Sequence, residues 1–186
     1  MLRNMEIEVE KRGLLNERRY HEVLDRLRQL EAVDKGEVST ESIFYLSNRW
    51  QLKIQRSTPG RAAKIAWKSG GNDGAESRRE LELAISHDNF DAANELMRQV
   101  LPGVSVFPTH QRRHDFTLNT VQVALKYSPD WDYHIEIEAL VNDESRVPVA
   151  LEAIQNLADT LGITLLSPEE EQKFVAQRIQ ERKKRH

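Results

Sequence analysis

Met5-Glu6-Ile7-Glu8-Val9-Glu10-Lys11-Arg12, at the start of the chain, alternates charged and apolar residues. In an extended strand successive side chains point to opposite faces. Glu6, Glu8, Glu10 and Arg12 therefore share one face, and Met5, Ile7, Val9 and Lys11 share the other. Carboxylates in a row repel one another, and Glu is depleted in strands. Something cationic opposite the row explains it, either a bound metal or a set of Lys and Arg side chains. For a single row a solvated strand face is the simpler explanation, so the question turns on whether the pattern recurs.

It recurs on strand after strand. In Ala63–Lys68 the face of Lys64 and Lys68 lies opposite Ile65 and Trp67. In Arg78–Leu83, Arg78, Glu80 and Glu82 lie opposite Leu81 and Leu83. In His134–Glu138, Glu136 and Glu138 join His134 opposite two isoleucines. Glu-x-Glu thus occurs at Glu8/Glu10, Glu80/Glu82 and Glu136/Glu138, and Lys53–Arg56 and Arg112-Arg113 add basic residues. An antiparallel sheet with one wet face accommodates this pattern. The alternative is a barrel with its charges inside and helices on its apolar outside. Buried charge is costly unless paired or bound, so such an interior calls for a polyanion with divalent cations. Carboxylates hold Mg²⁺ or Mn²⁺ through oxygen, and Lys and Arg hold phosphate oxygens.

Composition narrows the classes. A chain of 186 residues, 39% hydrophobic and 31% charged, has room for a core and lies outside the disordered range. With no cysteine it forms no disulfide and no thiolate metal site. The 27 basic residues against 30 acidic give a net charge of −3, which argues against holding long nucleic acid. No apolar run reaches membrane-spanning length, and the opening residues do not read as a signal peptide. The expectation is one cytoplasmic domain over residues 1–186, with 166–186 a charged helix or tail.

Helices punctuate the strands. Asn16 is expected to cap a helix with Tyr20, Val23, Leu24, Leu27 and Leu30 at 3.6-residue spacing. Asp34-Lys35-Gly36 and Ser39-Thr40 read as a polar connection. Thr58-Pro59-Gly60 reads as the turn of a hairpin joining Gln51–Arg56 to Ala63–Lys68, and Gly70–Gly74 as a looser turn. Asp88 is expected to cap a second helix that Pro102-Gly103 follows. Val104–Phe107, Arg112–Leu118, Thr120–Tyr127 and His134–Val141 read as strands or fragments. A third helix starts near Pro148 and closes at Gly162, and Ser167-Pro168-Glu169-Glu170 has the form of a capping box. The terminal Arg182–His186 reads as a solvated end.

Taken in order, Ile7-Glu8-Val9-Glu10-Lys11-Arg12, Leu52-Lys53-Ile54-Gln55-Arg56, Ala66-Trp67-Lys68, Glu80-Leu81-Glu82, Arg113 with Phe116, and Ile135-Glu136-Ile137-Glu138 resemble the CYTH domain, or triphosphate tunnel metalloenzymes. The resemblance runs from about residue 5 to about residue 165. It implies an α+β fold, an eight-stranded antiparallel β-barrel forming a tunnel with helices outside, which binds a linear triphosphate lengthwise. It also implies Glu8 and Glu10, helped by Glu136 and Glu138, as ligands for Mg²⁺ or Mn²⁺, and Lys53, Arg56, Lys68 and Arg113 as phosphate-binding residues, to which the basic residues Lys64, Arg78 and Lys126 are expected to add. Glu80, Glu82 and Arg12 take catalytic positions, with Arg12 where the motif has Lys. Gln55, Gln111 and Lys126 depart from the pattern. The reaction implied is metal-dependent hydrolysis of an inorganic or small organic triphosphate. The alternatives are cyclisation of ATP by an adenylyl cyclase of the same architecture and non-catalytic binding of polyphosphate or nucleotide. Partners are then a small-molecule triphosphate or nucleotide, without membrane or long nucleic acid, and homodimerisation is left open.

Overall fold

A strand with one charged and one apolar face can turn only one of them inward when its sheet closes on itself. The computed structural model describes residues 6–60, 62–70 and 77–185. Its strands are β1 (Glu6–Leu14), β2 (Val33–Leu46), β3 (Trp50–Thr58), β4 (Ala63–Ser69), β5 (Ser77–Ile85), β6 (Ser105–Leu118), β7 (Val121–Ser128) and β8 (Asp132–Val141). They close into a barrel in the order β1-β5-β4-β3-β2-β6-β7-β8, and every neighbouring pair is antiparallel. The fold is α+β, and the charged faces point in.

The apolar faces are left outside, and helices cover much of them. Helices α1 (Glu17–Gln29) and α3 (Val147–Leu161) lie over β1, β7 and β8. There Tyr20, Val23 and Leu27 meet Ile135, Ile137, Val123, Ile154 and Leu161 in the larger core. Helix α2 (Phe90–Val100) covers β2 and β3, packing Phe90 on Ile43, Tyr45 and Ile54. A fourth helix, α4 (Pro168–Arg185), follows α3. No described helix is long and apolar enough to cross a membrane.

Several local expectations hold. Asn16 Oδ1 accepts from the Arg19 amide at 2.9 Å, capping α1. Gly162 ends α3 in the left-handed region at φ 64°. Ser167 and Glu170 exchange the two bonds of a capping box, at 3.2 and 2.8 Å.

Others are corrected. Residues 34–40 are not a connection but the first half of β2, paired to β6 from Val33↔Thr117 onward. A bulge between Asp34 and Glu37, with Gly36 at φ 84°, absorbs the turn-forming residues that disguised the strand. Likewise 104–118 is not two fragments, because Ser105–Leu118 runs as one strand along β2. Asp88 does not cap α2. It lies in a 3₁₀ turn at His87–Asn89 whose cap is Ser86, with Asn89 preceding α2. Met5, Gly71–Gly74 and His186 lie outside the described residues.

Beyond α3 the chain runs back along β1, where the Leu166 amide donates to the Arg12 carbonyl at 2.7 Å. Gly13 permits that approach. A Cβ there would stand 2.7 Å from Ile163 Cγ2 and 3.0 Å from the Thr164 carbonyl oxygen. Gly13→Ala is expected to destabilise the protein by ~1–3 kcal/mol through overpacking, read as a lower urea midpoint with an unchanged slope.

Candidate functional site

Strand alternation delivers the site. On β1 it aims Glu8, Glu10 and Arg12 into the tunnel, on β4 Lys64 and Lys68, on β5 Arg78, Glu80 and Glu82, and on β8 His134, Glu136 and Glu138. Lys53 comes from β3, Arg113 from β6 and Lys126 from β7. Most of these meet in one cavity of about 210 Å³.

Opposite charges pair across it. Lys68 bonds Glu8 and lies 3.7 Å from Glu10, Lys64 bonds Glu82, and Lys126 bonds Glu136. Arg12 reaches Glu10 at 2.7 Å, Glu136 at 3.0 Å and, from α4, Glu171 at 2.8 Å. Arg113 holds Asp115 at 2.6 Å. Burial opposes ionising Glu136, but Lys126 and Arg12 overcome it and keep this carboxyl well below the usual range. Burial also opposes charge on Lys68, and Glu10 and Glu8 reverse the balance and raise it.

Two places remain out of balance. Glu8, Glu10 and Glu138 bring oxygens within 4.8 Å of one another. Burial, reinforced by Glu8 and Glu10, raises Glu138 to about 7. Burial also raises Glu80 to about 7; Lys68 opposes the shift, and Glu8 and Glu82 add to it. Lys53 is the converse. Burial together with Lys64, Lys68, Lys126 and Arg113 lowers its ammonium to about 7. The first region suits a hard cation and the second an anion.

The structure therefore brings together Glu8, Glu10 and Glu138, whereas it engages Glu136 with Arg12 and Lys126. Arg56 is a correction, since it lies outside the tunnel. β3 keeps unbroken register with both neighbours, so Lys53 and Gln55 face in and Arg56 faces out. There it holds Glu41 at 2.6 Å and Asp91 at 3.3 Å, with its guanidinium 4.3 Å from the Phe90 ring centre, tying α2 to the barrel. His114 is also outside, 2.6 Å from Asp34 and stacked on Phe116.

Sequence reasoning missed Glu171, Phe174 and Trp131, which close one end of the tunnel with Phe107 and Val175. Glu171 and Phe174 follow the Ser167 capping box on one helix, and that spacing was the available signal. Trp131 sits in a turn by composition and gave none.

The raised carboxyls set a pH dependence. Glu80 and Glu138 move from 4.5 to about 7, so the folded protein holds their protons more tightly than the unfolded chain does. The stability this adds is fully present below pH 4.5 and is lost as pH rises through about 7. Glu80→Gln/Glu138→Gln is expected to flatten that decline, measured by urea denaturation at stepped pH in metal-free buffer.

No family model and no curated protein matches the sequence. Solved structures do match. The PH1012 protein from Pyrococcus horikoshii OT3 aligns with TM-score 0.73 at 20% identity, covering 88% of this chain and 98% of its own. A protein from Vibrio parahaemolyticus, titled as a candidate adenylate cyclase, aligns with TM-score 0.69 at 18% identity over 89% and 92%. A Hippeastrum protein, HpAC1, titled as a candidate adenylyl cyclase with a dominant triphosphatase activity, aligns with TM-score 0.58 at 15% identity over 87% and 90%. With its ordered charged strands closed into an eight-stranded barrel, the chain has the tunnel fold that its resemblance to CYTH proteins implied.

Proposed function

We propose that this chain is a cytoplasmic, metal-dependent triphosphatase that binds a small triphosphate along its tunnel. The observation carrying this reading is a single cavity with the Glu8, Glu10 and Glu138 oxygens at one side and Lys53, Lys64, Lys68, Arg113 and Lys126 around the rest. The all-oxygen donor set and its mutual repulsion fit Mg²⁺ or Mn²⁺. A divalent cation held there supplies charge neutralisation at the transferring phosphoryl group.

The side chains do the remaining work. Lys53, Lys64, Lys68, Arg113 and Lys126 hold phosphate oxygens and stabilise charge building on the leaving diphosphate. Glu80 and Glu82 stand on the adjacent wall. Glu80, raised to about 7, is matched to accept the proton of an attacking water near neutrality. Water attack then breaks the terminal phosphoanhydride bond and releases phosphate and a diphosphate. Arg12 ties Glu10 and Glu136 in place and, through Glu171, fastens α4 over one end.

Phosphate release from triphosphate with Mg²⁺ or Mn²⁺ is expected in the wild type and is expected to fall at least about a hundredfold in Glu8→Gln/Glu10→Gln. Cyclic AMP with pyrophosphate from ATP would replace hydrolysis with cyclisation. Ligand-induced thermal stabilisation without any product would leave a binding module.

Lys53 supplies a separate check. Above pH 7 it is largely neutral in the free protein, and an arriving polyanion restores its charge. Triphosphate binding at pH 8 is expected to take up protons, measured by calorimetry in buffers of different ionisation enthalpy. Lys53→Met is expected to lower that uptake.

A further inference from the structure

One sector of the barrel's outer face carries no helix among the described residues. Helices α1 and α3 lie over β1, β7 and β8, and α2 lies over β2 and β3. Strands β4 and β5 turn Lys64, Lys68, Glu80 and Glu82 into the tunnel, so alternation turns Trp67, Leu81 and Leu83 outward. Trp67 stands in register with Leu81, and Leu83 with Ile65. Leu81 is 39% exposed and Leu83 61%, and the half-buried Trp67 joins neither outer core.

Helix α2 borders this bare sheet with a bare flank of its own. Its Asn94 side faces β2, where the Tyr45 hydroxyl donates to the Asn94 carboxamide oxygen at 2.7 Å. Asp91, on the same side, meets Arg56. Leu96 and Val100 lie roughly half a turn round the helix from that side. Since β3 and then β4 and β5 follow β2 in the sheet, this flank points towards the uncovered strands. Leu96 is 57% exposed and Val100 56%. Contiguous apolar patches of more than a few hundred Å² are uncommon on monomers.

We propose that a second copy of this chain covers this face, in a two-fold dimer where α2 of each protomer lies across β4 and β5 of the other. The face holds both halves of such a contact side by side, a sheet without a helix and a helix flank without a sheet. A two-fold rotation places each half on its complement, as an isologous interface requires. Charge follows the same symmetry. Arg79 stands near the start of β5, and Asp88 lies in the turn between β5 and α2 at the other end. The rotation exchanges those ends, bringing Arg79 of each copy towards Asp88 of the other. A stable interface buries about 800 Å² on each side. The five apolar side chains supply its centre, and Arg79, Asp88 and Gln99 its polar rim. Strand β5 meets β1 only over Ser77–Glu80, so the partner's helix braces the tunnel wall that has the shortest seam. The inference is independent of the triphosphatase reading.

Sedimentation velocity at about 50 µM, above the micromolar limit of standard-sized interfaces, is expected to give twice the chain mass of 21.6 kDa. Leu83→Arg and Leu96→Arg are each expected to raise the dimer dissociation constant at least about thirtyfold. Val33→Arg, at an exposed residue on β2 away from this face, is expected to leave it unchanged. The chain has no cysteine, so introduced thiols report the arrangement. An equimolar mixture of Leu83→Cys and Leu96→Cys proteins, oxidised with diamide, is expected to form a disulfide between the two variants. A monomer at that concentration overturns the proposal. A dimer that tolerates both arginine substitutions overturns the choice of face. A disulfide formed by Leu83→Cys alone and not in the mixture overturns the placing of helix on sheet.

Discussion

Charge taken out of water has to be matched, and the barrel interior is arranged around that requirement. Lys64 meets Glu82, Lys68 meets Glu8, Lys126 meets Glu136, and Arg12 bridges Glu10 and Glu136. Each pair offsets much of its own desolvation, which an isolated partner could not do. The matching is incomplete in two places. Carboxylates exceed cations around Glu8, Glu10 and Glu138, and cations exceed carboxylates around Lys53. On the proposed function, a divalent cation and a polyanion complete both sides together.

Turning the charges inward sends the hydrophobic core outward. Ile135 and Ile137 pack beneath α1 and α3, and Ile43 and Ile54 beneath α2. These outer contacts carry the burial that stabilises the fold, so the interior is free to stay polar and to keep space. β1 pairs with both β5 and β8 and so closes the sheet on itself, the β1–β5 seam being the short one, Glu6–Val9 against Ser77–Glu80. The same closure makes the strand walls rigid supports, so the inward side chains are held at fixed separations before any ligand arrives.

The two ends of the tunnel then differ because different elements finish them. At the end where β1 begins and β8 finishes, Glu8 and Glu138 come together. At the other, the start of β8 meets α4, and Trp131 and Phe174 replace charge with aromatic surface. Glu171 links the two regimes, since the arginine that orders the acidic wall also fastens α4 at the aromatic end of the tunnel.

Much of this was written locally. Period-two alternation at Glu8/Glu10, Lys64/Lys68, Glu80/Glu82 and Glu136/Glu138 determined which side chains share a face, because strand geometry allows no other outcome. Asn16, Gly162 and Ser167 marked helix ends through bonds within a few residues of themselves. The parity of Arg56 against Lys53 was equally local, and only a bulge could have turned both inward. Which face points inward is a different matter, since alternation is identical for either choice. Closure decided it, by putting helices on one side only. Closure also set the register that joins Glu138 to Glu8 and Glu10, made one strand of the turn-like residues 34–40, and brought Phe174 to Trp131 across more than forty residues of chain. Such contacts rest on pairing between distant segments, whose energy no short stretch of sequence contains.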